Sequence, residues 1–171
     1  ENNGAADPSF SADDIETGPA VRGVSEVFVA DLDSDGDLDI ISANYNNDGI
    51  AWVENNGAAD PSFNITTINT TAQGARSVFV ADMDNDGDLD IISGSYNDDT
   101  IAWYENDGAA NPSFTAADIA TSADGAKSVF VADMDNDGDM DIVSASKHDD
   151  TIAWYENASD NTAPTVSSVT S

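Results

Sequence analysis

Across 171 residues the chain carries 34 acidic and only 4 basic residues, a formal net charge of −30, while 40% of it is hydrophobic. That balance supplies a packed core for one domain, at most two. It argues against nucleic acid or anionic membrane partners, because phosphate neutralisation needs Lys and Arg and only Arg22, Arg76, Lys127 and Lys147 are present. No cysteine occurs, so neither a disulfide scaffold nor a thiolate metal site is expected.

The chain opens at Glu1 without an initiator Met or a signal-peptide pattern, which points to a processed or excised piece. Residues 1–10 read Glu-Asn-Asn-Gly-Ala-Ala-Asp-Pro-Ser-Phe and recur letter for letter at 54–63. Beyond them the chain is a threefold repeat. Asp31, Asp82 and Asp133 open the same motif 51 residues apart, and Trp52, Trp103 and Trp154 keep that step. Phe10 precedes Phe63 by 53, so two residues are inserted near 18–23. A period close to 50 lies within the range of propeller blades.

The middle repeat shows the expected elements. Residues 77–82, Ser-Val-Phe-Val-Ala-Asp, form a first strand with apolar side chains on both faces. After the aspartate loop comes a second strand over 90–96, a turn at Asn97-Asp98-Asp99-Thr100, and a third strand over 101–106. Asn106-Asp107-Gly108 is a hairpin-type turn signal leading through Pro112 to a fourth, more polar strand near 114–121. No helical apolar spacing appears, and no apolar run approaches a membrane span. The expected fold is therefore all-β, with β-propeller-type blades of four strands.

On this reading residues 1–24 hold the fourth strand of a preceding or completing blade plus a connector. Blade 1 spans 25–76, blade 2 spans 77–127, and blade 3 spans 128–157 without its fourth strand. The N-terminal strand is available to complete the last blade, of its own chain or of a neighbour. Residues 158–171, rich in Thr, Ser and Val around Pro164, read as a linker or edge strand. Propellers typically have about 4–8 blades. Three leave open a fragment of a longer propeller, a ring of two chains, or a head-to-tail filament.

The motif Asp-x-Asp-x-Asp-Gly-x-x-Asp carries the chemistry. Its copies are Asp31, Asp33, Asp35, Gly36, Asp39; Asp82, Asp84, Asp86, Gly87, Asp90; and Asp133, Asp135, Asp137, Gly138, Asp141. Alternating carboxylates bring hard oxygen ligands to one point, which suits Ca²⁺. Gly at position 6 permits the turn that lets position 7, here Asp37, Asp88 and Asp139, offer its backbone carbonyl. Three Ca²⁺ sites are expected. Mg²⁺ fits less well because it demands octahedral geometry and keeps its water. Softer metals need His or Cys, and His148 stands alone. An EF-hand needs Glu at position 12, where this chain has Ser42, Ser93 and Ser144.

Placed between a Val-Phe-Val-Ala-Asp strand and an Asp-Ile-Ile-Ser strand, this loop resembles the FG-GAP/VCBS-type repeats of calcium-binding β-propellers, to which integrin α-subunit head domains are related. The resemblance covers residues 25–157, plus the half-repeat at the N-terminus. It implies a propeller with calcium in the hairpin between the first and second strands of each blade, in a secreted or surface-attached protein. The tail resembles a junction into a bacterial immunoglobulin-like domain. The family's Phe-Gly and Gly-Ala-Pro signatures are replaced here by Phe-Val-Ala-Asp at 79–82 and Ser-Gly-Ser-Tyr at 93–96.

Other residues have plainer expectations. The tryptophans share a strand face with Ile and are read as packing between blades, whereas Tyr104, Tyr155 and Val53 point the other way and are the candidates for surface contact. The Asp98-Asp99 and Asp149-Asp150 pairs are turn residues, and His148 is a surface residue. Asn64, Asn69 and Asn157 fit the glycosylation pattern. No catalytic set appears, and no enzyme activity is expected. The functional expectation is an extracellular calcium-binding structural or adhesive module that self-assembles head to tail by strand complementation. Its expected partners are other copies of itself or adjacent extracellular domains. The alternative is a calcium-dependent, lectin-like module that binds glycans.

Overall fold

The computed structural model describes residues 12–15 and 18–158. The N-terminal strand expected over residues 1–10 and nearly all of the 158–171 segment lie outside the described residues.

After a 3-10 turn at Pro19–Val21, β1 (Val24–Ala30), β2 (Asp39–Asn44), β3 (Gly49–Asn55) and β4 (Phe63–Asn69) form one antiparallel sheet in that order. The second sheet is β5 (Ala75–Ala81), β6 (Asp90–Ser95), β7 (Thr100–Asn106) and β8 (Phe114–Ala120). The third has three strands, β9 (Ala126–Ala132), β10 (Asp141–Ser146) and β11 (Thr151–Tyr155). These meanders are the blades. Their first strands begin one or two residues ahead of the sequence-expected starts, at Val24, Ala75 and Ala126. The early residues join through a register shift, between Val24 and Glu26 in blade 1 and between Ala75 and Ser77 in blade 2.

The blades stack face to face in chain order, β5 lying against β1 and β2, and β9 against β5 and β6. A row of rings runs along the first strands, Phe28 to Phe79 and Phe79 to Phe130, each pair 4.8 Å between centroids. Two apolar cores result, and they are the same core twice. Between blades 1 and 2, Leu32, Ile41, Ile50 and Trp52 meet Val78, Val80, Ile91 and Tyr104. Between blades 2 and 3, Met83, Ile92, Ile101 and Trp103 meet Val129, Val131, Ile142 and Tyr155. Each residue of the second set lies 51 positions after its counterpart in the first. Blade 2 is thus sandwiched, and its first three strands are largely buried on both faces, while β8 is mostly exposed or half-buried.

The sandwich corrects one expectation. Tyr104 and Tyr155 do not face solvent; they are 2% and 5% exposed. Val53 is likewise buried. The third strand alternates as expected, but the tyrosine face meets the preceding blade, and Val53 lines a hollow with Ile15 at the open end of the stack. The Tyr104 hydroxyl lies 3.2 Å from Ser93 Oγ, and burial pushes its pKa up to about 12. Trp52 and Trp103 do pack between blades and are buried, whereas Trp154, on the outer face of blade 3, belongs to neither core and is half-buried.

Candidate metal centre

Each aspartate loop is the hairpin between the first and second strands of its blade, bounded by the pairs Ala30–Asp39, Ala81–Asp90 and Ala132–Asp141. Two left-handed residues turn it. Ser34, Asn85 and Asn136 at position 4 have φ of 60°, 61° and 65°, and Gly36, Gly87 and Gly138 at position 6 have φ of 97°, 97° and 100°. A Cβ on those glycines would meet nothing within 4 Å, so backbone conformation rather than space requires glycine there.

The turn gathers carboxylates. Asp31, Asp33 and Asp35 bring oxygens within 4.8 Å of one another, as do Asp82, Asp84 and Asp86, and in the third loop Asp133, Asp135 and Asp141. These three triads can hold a metal ion. Their donors are all oxygen, which fits a hard cation. Loop amides also converge on position 1, where Asp31 accepts from the N–H of Asp35 and of Gly36, both at 3.0 Å.

The remaining predicted ligands sit differently. The position-9 carboxylates of Asp39, Asp90 and Asp141 are buried, and both oxygens accept backbone N–H groups. Asp90 takes one from Met83 at 3.1 Å and one from Asn106 at 2.8 Å. Asp39 does the same with Leu32 and Asn55, and Asp141 with Met134 and Asn157. Only Asp141 also joins its triad. The carboxylate of Asp37 occupies the space a Cβ on Gly57 would need, and that of Asp88 the same space at Gly108. Asp139, also buried, accepts from Asn85 Nδ2 at 2.7 Å. Asp137 stands outside its triad and accepts the Asp139 N–H.

Burial and mutual repulsion raise the pKa values of several loop carboxyls. Partial burial lifts Asp33 and Asp84, followed by repulsion from Asp35 and Asp86 respectively. Asp135 is raised as well, by loss of water contact first and by the nearby Asp137 and Asp141 charges. Burial pushes Asp90 up to about 6, against the pull of its two backbone donors and the Trp103 side chain.

The model of the FG-GAP-like repeat matches residues 31–93 and again 82–144, two windows offset by the 51-residue step and each running from one aspartate loop through the next. The chain belongs to the FG-GAP-like repeat family. No curated protein matches it closely enough to count. In this FG-GAP-like array the loops fall at the same corner of every blade, and among the described residues no helix is long and apolar enough to cross a membrane.

One set of working residues was not legible as such in the sequence. Asn106 and Asn157, buried at the end of the third strand, each donate from Nδ2 across to the preceding blade, to the carbonyls of Leu32 and Met83. Their signal was recurrence at the 51-residue step, shared with Asn55. Asn157 is therefore engaged in the blade interface; it is 1% exposed and its Nδ2 donates to both Met83 and Met140, so a glycan there has no room and would cost one of the two bonds.

Proposed function

We propose that the chain is a calcium-binding structural or adhesive repeat module that works outside the cell, joined to further blades of its own kind or to neighbouring extracellular domains. The observation that carries this reading is the recurrence of an oxygen-only triad at the same hairpin of all three blades, from motif positions 1, 3 and 5 in the first two and 1, 3 and 9 in the third. A site devoted to one substrate has no need of three copies; a device that stiffens each blade does.

Calcium occupancy would offset the loss of solvation and the mutual repulsion that raise Asp33, Asp84 and Asp135 and pin the β1–β2 type hairpin. At an affinity near 10⁻⁴ M in about 10 mM calcium, each site contributes on the order of 2.7 kcal/mol. Affinities of that order suit the extracellular calcium range. The reading includes no catalytic role. The glycan-binding alternative is less well supported, since Trp52, Trp103, Tyr104 and Tyr155, the aromatics it relied on, are buried.

Thermal melting in calcium and in EDTA tests the reading. The expected result is a Tm that falls sharply on chelation and returns with calcium but not with equal magnesium. An unchanged Tm removes the structural role of the metal.

A further inference from the structure

The two ends of the stack are the unmatched halves of the interface that recurs inside it. Val78 and Val129 pack against the preceding blade at 2% and 5% exposure, while their counterpart Val27 is 54% exposed. Ile50 and Ile101 pack against the following blade at 0%, while Ile152 is 79% exposed. The polar contacts are split the same way. Gly74 and Gly125 donate to Asp48 and Asp99 of the preceding blade, both at 2.8 Å, and Gly23 and Asp150 are the next members of that series.

Residues 12–15 supply a second observation. Ile68 packs on the first core and Ile119 belongs to the second, both from the fourth strand of the blade before. Ile15 is their counterpart, and it lines a hollow over blade 1 with Val27, Ile40 and Val53. Blade 1 therefore carries on its open face the piece that an outer fourth strand of a preceding blade contributes. Blade 3 is the sheet with no fourth strand among the described residues.

We propose that a second copy of this chain docks head to tail, the open face of its blade 3 seating on the open face of blade 1. This rests on the repeat-module reading above and names the partner. The contact repeats the internal one: Val27 and Val29 meet Met134 and Ile152 of the second copy, and Asn55 Nδ2 reaches the carbonyl of its Met134. By the register that sets Trp52 against Thr66 and Trp103 against Ala117, Trp154 of the second copy lies opposite Asp13. Such a contact is heterologous, closing a ring or extending a filament. Each copy has a net charge of −30, so salt and bound calcium favour the contact.

Sedimentation equilibrium of the whole chain in calcium and physiological salt tests this. The expected mass is at least twice 17.8 kDa. Val27→Asp alone and Ile152→Asp alone abolish self-association, and an equimolar mixture of the two restores a species of two chains, because one sound face remains on each. A wild-type mass of 17.8 kDa overturns the proposal. So does a mixture that stays monomeric, or either variant assembling alone. Both side chains are exposed in the single chain, so at dilutions where no copy is associated the calcium-dependent melt is unchanged in the variants. A monomer that still gains Tm with calcium refutes the docking and leaves the structural-metal reading standing.

Discussion

Asn106 donates from Nδ2 to the carbonyl of Leu32, 3.1 Å away and 74 residues earlier in the chain. Its own backbone N–H holds the Asp90 carboxylate at 2.8 Å. One side chain and one amide therefore tie the aspartate hairpin of blade 2 to that of blade 1. Replacing Asn106 with Ala leaves a buried carbonyl without its donor and is expected to cost about 2 kcal/mol. Urea denaturation measures it; a loss below about 0.5 kcal/mol would show that the tie contributes little.

Equivalent positions in the repeat have unequal surroundings, which makes a controlled comparison possible. Ile101→Ala empties a site of 0% exposure and should cost about 3 kcal/mol, whereas Ile152→Ala acts at a site of 79% exposure and should stay within about 0.5 kcal/mol in the dilute chain. Similar losses at both positions would contradict the stacking order described here.

The aspartate triads predict a charge trade. Substituting Asp82, Asp84 and Asp86 together by Asn should lower bound calcium from three ions per chain to two, measured by equilibrium dialysis. In EDTA the same variant should melt above the wild type, because the burial cost of the Asp84 charge and its repulsion by Asp86 are both gone. A stoichiometry that stays at three would place the ion elsewhere.

Metal-free stability should depend on pH with a definite sign. The folded-state pKa of Asp90 is about 6 against an ordinary 3.8, so the folded chain holds a proton that the unfolded chain releases. Stability from this group is present at about pH 4 and is lost as pH rises to about 6. The raised Asp33, Asp84 and Asp135 act in the same direction. Asp107 and Asp149, held low by the hydroxyls of Ser113 and Ser146, act oppositely but only below about pH 4. The urea midpoint in EDTA should therefore fall between pH 4.5 and 6.5; a rising midpoint would refute this account.

Strands, turns and the aspartate hairpins were legible because each leaves a local mark: period-two alternation, Asn-Asp-Gly turns, and glycine at the left-handed position 6. What escaped was lateral. Alternation shows that Tyr104 and Trp103 point to opposite faces, but not that a blade waits on both. Likewise, spacing places Asp90 in the acidic motif without revealing that its oxygens are turned to the N–H groups of Met83 and Asn106. Asn157 matched a glycosylation pattern over three residues, while its actual partner, Met83, lies 74 residues away.

The duplication of one apolar core in two places bears on how such a chain changes length. An inserted or deleted 51-residue unit adds or removes one blade and one interface, and every surface it presents has already been selected to fit its neighbour. Stability in an array of this kind sums over units and nearest-neighbour contacts. Gain or loss of one such repeat can therefore alter copy number in a single event, without a period of misfit that later substitutions must repair.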